Sequence, residues 1–309
     1  MLTIKSPGLK ATFAEYGARL VALEVDGVDV VFGTPWDSDH SKWDNSAGVT
    51  CGRHAGRISK GGYELDGEHV KLVNNRDGFQ LHGGPMGFGS LDWAAKKKGS
   101  EIHFTLTSPD GDQGFPGELK ASAVYGLSGN TMWAELTATT TKPTVINLTN
   151  HAYWNLAGPT AGKDAAFPLE IQMNASRYLP VDTNLLPLGE IAPVTGTKYD
   201  FRKLRAVGQP YDDCFVLDGK RGELHQGLTM RDPKSGRRME VWTTECAIQF
   251  YTALHWNEKL PGKNQTLQQH QAIAIEPQNV PDAPNNPNFP SSVLRPGRTY
   301  RNRIEWRFS

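Results

Sequence analysis

Two alternating runs, ELKASAVYGL (118–127) and TMWAELTA (131–138), decide the fold class of this chain. Apolar side chains recur at every second position in both runs, beginning at Leu119 in the first and at Met132 in the second. A period of two residues is the signature of a strand that buries one of its faces. The two runs therefore predict neighbouring half-buried strands.

The same period extends to other parts of the chain. In VWTTECAIQFY (241–251) one face runs from Trp242 to Phe250, and RIEWRF (303–308) alternates in the same way. No segment of twelve or more residues has a helical period, while 32 glycines and 20 prolines separate the short runs. Many short strands between turn residues predict an all-β sandwich. The segment PDAPNNPNFP (281–290) is expected to be an ordered loop between strands.

Composition restricts the function. The 309 residues include 33 basic and 33 acidic side chains, and this balance argues against a nucleic-acid-binding protein. No run reaches the ~18 apolar residues of a membrane span, and the N-terminus has no apolar signal region. With Met1 as the native start, we expect a cytoplasmic protein without a membrane segment. The isolated Cys51, Cys214 and Cys246 favour reduced structural thiols.

The stretch NLTNHAYWNLAG (147–158) is unusually polar for a strand. Alternation places Leu148 and Trp154 on an apolar face, and His151 and Tyr153 on the opposite face among hydrogen-bonding neighbours. Donors, acceptors and an aromatic ring on one face suit a sugar, whose hydroxyls need partners and whose C–H faces pack on rings. The alternative is a structural histidine in a polar strand.

A carboxylate ends the run AIAIEPQNVPDAP (272–284). Glu276 shares a strand face with the small residues Ala272 and Ala274, which leave room above it. If it is buried there, its pKa is expected to rise, which suits a general base. The alternative is an ordinary surface glutamate at a strand end.

The glycine-rich segment LHGGPMGFG (81–89) contains His82 but matches no phosphate-binding motif. Its glycines predict a tight loop whose backbone approaches a ligand or another strand closely. The alternative is a turn-rich hairpin that exposes the histidine.

Together, these segments resemble the galactose mutarotase, or aldose 1-epimerase, family along nearly the whole chain. The NHxYxNLxG and E-x-Q…PDAxN…FP…L-x-PG patterns are each specific, and the order of segments is kept. The matching segments are EYGARLVALEVDGVDVVFG, CGRHAGRISKGGYELDG, LHGGPMGF, DGDQGFPGEL, NLTNHAYWNLAG, YDDCFVL, IQFYT and EPQNVPDAPNNPNFPSSVLRPGRTY. The resemblance implies a large antiparallel β-sandwich (the family's supersandwich), a single domain over residues 1–309, and no metal, nucleotide or other cofactor.

The resemblance also implies a reaction and the residues that perform it. An aldopyranose changes anomer when a base takes the C1 hydroxyl proton, an acid protonates the ring oxygen, and the ring recloses on the other face. Glu276 is implied as the base and His151 as the acid, which must be able to carry a positive charge near neutral pH. The implied sugar-binding residues are His82, Arg57, Asp212, Gln249 and Tyr153.

The chain departs from the family pattern at several positions. Gly56 stands where the family usually has asparagine, which leaves the preferred sugar open. Asp213 stands where histidine is frequent, so that either Asp212 or Asp213 could contact the sugar. Ala152 and Trp154 replace the common serine and phenylalanine. The resemblance implies a sugar as the partner and a monomer or homodimer as the assembly.

Three other functions compete with this interpretation. An epimerase of hexose 6-phosphates would need a basic cluster, and Arg53, Arg57 and Lys60 are close in sequence. A glycoside hydrolase would need two carboxylates, for which Glu276 and Asp212 are candidates. A non-catalytic sugar-binding protein would be expected to lose His151 or Glu276, and both are present.

Overall fold

A computed structural model describes residues 1–35, 46–263 and 265–309. Its short 3₁₀ helices there are Phe88–Ser90, Asp112–Gly114 and Ala283–Asn285. The strands of the described residues are β1 (Leu2–Ser6), β2 (Leu9–Ala14), β3 (Arg19–Val25), β4 (Val28–Asp29), β5 (Val31–Phe32), β6 (Thr50–Cys51), β7 (Arg57–Ile58), β8 (Gly62–Leu65), β9 (Glu68–Lys71), β10 (Gln80–Leu81), β11 (Ala94–Lys98), β12 (Glu101–Ser108), β13 (Leu119–Ser128), β14 (Thr131–Thr140), β15 (Thr144–Val145), β16 (Thr149–Asn150), β17 (Tyr153–Trp154), β18 (Glu170–Met173), β19 (Arg177–Tyr178), β20 (Ala192–Pro193), β21 (Arg205–Ala206), β22 (Asp212–Val216), β23 (His225–Arg231), β24 (Arg238–Thr243), β25 (Ala247–Tyr251), β26 (Ile273–Gln278), β27 (Val293–Leu294) and β28 (Tyr300–Phe308).

Two large antiparallel sheets dominate the structure. One has nine strands in the order β11-β12-β13-β14-β28-β24-β23-β18-β21, and the other has seven in the order β20-β19-β22-β25-β26-β17-β5. A four-stranded sheet, β1-β2-β3-β4, and four two-stranded pairs complete the described part of the chain. The structure is therefore all-β and antiparallel, as the alternating runs predicted.

The two large sheets share one apolar core. Leu136 and Trp306 contribute to it from the nine-stranded sheet, and Phe250 and Ile275 from the seven-stranded sheet. All four side chains are fully buried. At ~25 cal/mol per Å² of buried apolar surface, such side chains supply the main driving force for sheet packing.

The seven-stranded sheet has two different faces, and this difference positions the site. Along β25 and β26, the side chains of Ile248, Phe250, Ile273 and Ile275 point into the shared core. The intervening positions point to the other side of the sheet, because successive side chains of a strand alternate. That second face carries Gln249, Tyr251, Ala274 and Glu276.

Most predicted strands are confirmed, and one is wrong. The runs at 118–127, 131–138 and 303–308 lie in β13, β14 and β28. The run at 241–251 is not one strand but two, β24 and β25, which belong to different sheets. The bend between them contains Glu245, whose carboxylate is buried and paired with Arg221 at 2.8 Å.

The stretch 147–158 is also not a continuous strand. Short strands β16 and β17 flank His151. Strand β16 pairs with β6, and strand β17 pairs with β5 and β26. The alternation nevertheless holds, because Leu148 and Trp154 lie in the shared core and Tyr153 lies in a second cluster on the opposite face.

The loop at 281–290 is ordered, as expected. The Asp282 carboxylate accepts hydrogen bonds from the backbone amide and hydroxyl of Ser59, at 2.9 and 2.7 Å. This loop therefore ties the region after β26 to the turn after β7. In the described part of the chain, no helix has the length and apolar character that a bilayer crossing requires.

Candidate active site

A cleft of about 390 Å³ lies on the second face of the seven-stranded sheet. This volume falls within the ~300–1,000 Å³ of typical small-ligand sites. The structure brings all the site residues predicted from the sequence together in its lining: Arg57, His82, His151, Tyr153, Asp212, Gln249 and Glu276. Asp213, the alternative to Asp212, is absent from the described lining.

His151 and Glu276 form the closest histidine–carboxylate pair in the described cleft. The imidazole Nε2 lies 3.4 Å from the carboxylate Oε1, and both side chains are buried, 6% and 2% exposed. The His151 backbone is fixed on both sides, since its amide donates to Val49 and its carbonyl accepts from Gly48. The other atoms of the pair, Nδ1 of His151 and Oε2 of Glu276, have no hydrogen-bond partner among the described residues.

Burial favours the uncharged form of both members. It lowers the pKa of His151 to about 4, and it raises the pKa of Glu276, helped by the Asp212 charge and opposed by Arg57. The raised Glu276 pKa confirms the expectation for a buried carboxylate. Desolvation opposes a charged imidazole near neutral pH in the protein without sugar, so a charged His151 within the reaction cycle stays a prediction. The pair then shares one dissociable proton, which resides on Glu276.

His82 is held in a left-handed backbone conformation, with φ of 51°. Its Nδ1 accepts a hydrogen bond from the Gly56 amide at 3.3 Å, so a neutral ring carries its proton on Nε2. Burial first, then the nearby His151 and Arg57, lower the pKa of His82. The ring is therefore a neutral hydrogen-bond donor at physiological pH.

The glycine after His82 permits close packing against the backbone that follows β6. A Cβ atom at Gly83 would lie 1.9 Å from the Gly52 carbonyl oxygen. This outcome confirms the expectation of a close approach between the loop and a neighbouring backbone segment.

Asp212 is fixed by two neighbours. Gln249 Nε2 donates to its Oδ1 at 2.7 Å, and Arg57 Nη2 lies 3.8 Å from its Oδ2. Asp213 is buried, its Oδ2 accepts from the Asp212 amide, and burial raises its pKa. Of these two aspartates, only Asp212 presents a carboxylate to the described cleft.

Aromatic rings form one wall of the cleft. Tyr153 lies 4.4 Å from Trp256 and 6.1 Å from Tyr251, measured between ring centroids. The Tyr251 hydroxyl is also hydrogen-bonded to His255 Nδ1 at 3.0 Å. Sequence reasoning missed Tyr251, His255 and Trp256, although Tyr251 shares the strand face of Gln249 and could have been found by alternation.

Comparison with known proteins identifies the family of this chain. The aldose 1-epimerase family model matches residues 1–307. The chain belongs to the aldose 1-epimerase family. It is 36% identical to galactose mutarotase of Homo sapiens, over 99% of this chain and 93% of that protein. It is 32% identical to aldose 1-epimerase of Escherichia coli (strain K12), over 100% of this chain and 94% of that protein.

Solved structures of the aldose 1-epimerase family share the fold. A GalM/aldose epimerase homologue from C. elegans superposes with a TM-score of 0.92 at 31% identity, covering 100% of this chain and 98% of that one. Galactose 1-epimerase from Lactobacillus acidophilus gives a TM-score of 0.88 at 29% identity, covering 99% and 93%. The large antiparallel sandwich expected from the sequence is therefore the fold of the family.

The departure at Gly56 lies beside a polar group without a partner. Gly56 has a φ of +77°, and a Cβ atom there would lie 3.4 Å from Gln278 Nε2. Gln278 is 1% exposed, lines the cleft, and has no hydrogen-bond partner among the described residues for either side-chain atom. A buried amide of this kind is ready to bond a ligand hydroxyl. Sequence reasoning missed Gln278, although it shares the face of Glu276.

Two further groups bear on cofactor and substrate. Donor atoms of Cys51, His82 and Glu276 lie within 4.8 Å of one another, a set that could hold a thiophilic cation. The basic cluster that a phosphate would need from Arg53, Arg57 and Lys60 is not assembled. Arg53 is buried and donates to Ser108, Pro109, Pro116 and Gly117, whereas Lys60 is exposed outside the described lining.

Proposed function

We propose that this chain interconverts the α and β anomers of free aldoses such as D-galactose or D-glucose. The observation that carries the proposal is the His151–Glu276 pair, whose reacting atoms lie 3.4 Å apart in a buried cleft. The family relatives are named galactose mutarotase and aldose 1-epimerase. A pyranose needs one acid and one base near its C1–O5 bond, and this pair supplies both.

The pair needs one dissociable proton to start the cycle. Before sugar binds, burial keeps that proton on Glu276 and leaves His151 neutral. A sugar hydroxyl that donates to the Glu276 carboxylate, together with the nearby Arg57 charge, stabilises the ionised form. The proton then moves to His151, which gives the arrangement of ionised base and charged acid.

Ring opening follows from that arrangement. Glu276 takes the proton of the C1 hydroxyl, the C1–O5 bond breaks, and His151 delivers its proton to O5. Rotation about C1–C2 exposes the other face of the aldehyde, and the same two transfers run backwards on closure. Each group contributes about 10²–10⁴-fold in rate. The net reaction consumes no proton, so the pair is restored.

The remaining residues bind and orient the sugar. His82 donates from Nε2 to an oxygen on which charge develops, while Arg57, Asp212 and Gln249 form a connected polar group for hydroxyls. Tyr153, which lines the cleft and is stacked on His151, contacts the sugar C–H groups through the part of its ring that reaches the cleft. The chemistry needs no metal or other cofactor, because the acid and the base are both side chains.

Polarimetry on freshly dissolved α-D-galactose and α-D-glucose tests the proposal. We expect wild type to speed equilibration, and Glu276→Gln and His151→Asn to lose that acceleration while remaining folded. Wild type that does not exceed the spontaneous rate on these sugars or on pentoses would contradict an enzyme. Sugar binding in that protein would then favour the non-catalytic alternative.

The site favours the proposed reaction over glycoside hydrolysis. The nearest proton partner of Glu276 in the described cleft is His151, whereas the Asp212 carboxylate is engaged by Gln249 and Arg57. A hydrolase would need that second carboxylate as a nucleophile or base. Release of an alcohol from a methyl glycoside by the wild-type protein would reverse this preference.

We further propose a cytoplasmic location and a monomer or homodimer without a nucleic-acid partner. The three buried cysteines are free thiols, which suits a reducing compartment. The balanced charge suits a small-molecule substrate. Cell fractionation and light scattering test location and assembly.

A further inference from the structure

A second cavity, of about 430 Å³, adjoins the proposed sugar cleft. The two share Ser46, Arg76, Leu81 and His82 in their linings. His82 therefore stands between them, with the acid–base pair on one side and the second cavity on the other. A group attached to a sugar in the cleft could reach this cavity past His82.

Arg19 lines the second cavity and is buried without a carboxylate partner among the described residues. It begins β3 and is only 2% exposed. Its Nη1 donates to the Ala47 carbonyl at 2.8 Å, and its Nε has no partner there. Burial lowers its pKa to about 10, so it remains charged at neutral pH. A buried charge is energetically costly unless it is paired, so a bound anion would stabilise this guanidinium.

The rest of the described lining adds positive charge and no negative charge. Arg76 contributes a second guanidinium, which donates to the Asn75 carbonyl at 2.7 Å. No aspartate or glutamate occurs among the lining residues that the structure describes. The positive charge of Arg76 also helps to lower the pKa of His82, so its field extends to the shared boundary.

Another buried arginine in this fold has hydrogen-bond partners for its guanidinium group. Arg53 is equally buried, at 2% exposed, but donates five hydrogen bonds to Ser108, Pro109, Pro116 and Gly117. Arg19 makes one with the described part of the chain. The difference marks Arg53 as a structural residue and Arg19 as a residue with unused binding capacity.

We propose that this second cavity binds an oxyanion, such as a phosphate or a carboxylate, between Arg19 and Arg76. The oxyanion is either a free ion or a substituent of an aldose whose ring occupies the adjoining cleft. Guanidinium groups suit both, because their planar donors match the paired oxygens of carboxylates and phosphates. The second form deepens the proposed function and rests on it, since it extends the substrate class to anionic aldoses.

Calorimetric titration of the full chain with inorganic phosphate tests the free-ion form. We expect phosphate to bind wild type and to bind Arg19→Met at least about tenfold more weakly, because a charge-assisted hydrogen bond is lost. Arg76→Gln, at an exposed position, should weaken binding too and does not risk the core. Arg301→Gln, an exposed arginine paired with Glu135, is the matched control and should bind like wild type.

Anomerisation rates test the substituent form. Wild type should show a higher kcat/KM for D-glucose 6-phosphate or D-galacturonate than for the neutral parent sugar, and Arg19→Met should lose this ratio. Phosphate binding that depends on Arg19 supports a free oxyanion in the second cavity, and a rate preference that depends on Arg19 supports an oxyanion substituent of the sugar. The proposed oxyanion site is overturned if both are absent, or if phosphate binding is unchanged in Arg19→Met and Arg76→Gln. Arg19-dependent phosphate binding without any anomerisation would refute only the proposed function.

Discussion

The imidazole of His151 is stacked on the ring of Tyr153, with centroids 5.0 Å apart and planes 29° from parallel. The aromatic ring excludes water from one face of the imidazole and holds its plane. Burial lowers the pKa of His151 to about 4, and Tyr153 covers one side of the buried ring. The stacking therefore orients the proposed acid and adds to the burial that favours its neutral form.

The pH dependence of the reaction should follow the protonation state of the His151–Glu276 pair. The working pair holds one proton, so kcat/KM should fall on the acid side as His151 gains a second one near pH 4. On the alkaline side it should fall as Glu276 loses its proton, through the raised pKa of that carboxyl. Polarimetry across pH measures both limbs. An acid limb near 6.5 would show that His151 titrates as an ordinary exposed histidine.

Loss of both members of the pair should cost little more than loss of one. Glu276→Gln and His151→Asn each remove a partner from the same proton exchange, so their effects should not add. We expect each single variant to lose about 10²–10⁴-fold in kcat, and the double variant to match the worse single variant. Fully additive losses would mean that the two residues act independently.

Glu276→Gln should stabilise the fold in alkaline solution. Burial raises the pKa of Glu276 above its value in the unfolded chain. The free energy of unfolding therefore falls as the pH rises through the folded-state pKa, because the folded chain must then ionise a buried carboxyl. A tenfold difference in proton affinity between the two states corresponds to about 1.4 kcal/mol. Thermal unfolding should show a higher Tm for the variant at pH 8 and a smaller difference at pH 5. Glu68→Gln, at an exposed position in β9, should show no such trend.

Gln278→Leu should stabilise the fold and weaken sugar binding. Its amide nitrogen and oxygen are buried without partners among the described residues, and each such group costs about 1–3 kcal/mol. We expect a higher Tm and a higher KM for the preferred sugar. Gln271→Leu is the matched control, because the Gln271 amide is buried but bonded to Ala161 and Gln268. That control should lower Tm, and a higher KM in it alone would contradict a role for Gln278.

Added Zn²⁺ should inhibit the enzyme. Cys51, His82 and Glu276 offer sulfur, nitrogen and oxygen donors within 4.8 Å, and Zn²⁺ accepts all three. A bound ion would occupy the proposed base. Cys51→Ser should weaken inhibition about tenfold or more, and Mg²⁺, which prefers oxygen ligands, should have little effect. Equal Zn²⁺ inhibition of wild type and Cys51→Ser would place the ion elsewhere.

Much of the fold and site could be predicted because strand alternation is a local property. The faces of β26 follow directly from the order of Ile273, Ala274, Ile275 and Glu276. The split between β24 and β25 was not predicted, because a single face from Trp242 to Phe250 was read through a bend without glycine or proline. In β24 the core side chains include Val241, whereas Phe250 faces the core from β25, so the phase of the alternation changes at the bend. The bend is instead stabilised by the buried Glu245 and its partner Arg221, which the sequence pattern does not connect.

The second cavity and part of the cleft depend on tertiary placement. Arg19 looks like a polar interruption of a strand until the residues around it in space are known. Trp256 lies in a loop and carries no periodic signal. The lowered pKa of His151 likewise depends on its burial in the tertiary structure, whereas the unperturbed pKa of histidine predicted an accessible charge.

The two-faced seven-stranded sheet constrains how this protein can evolve. Insertion or deletion of one residue within β25 or β26 would turn the cleft side chains into the core and the core side chains into the cleft. Lineages that acquire new substrates should therefore keep the lengths of these strands invariant. Sequence diversity should accumulate as point substitutions at the cleft-facing positions and as length changes in the surrounding loops. In an alignment of descendants, the columns of β25 and β26 should therefore contain no gaps, whereas the loop columns should.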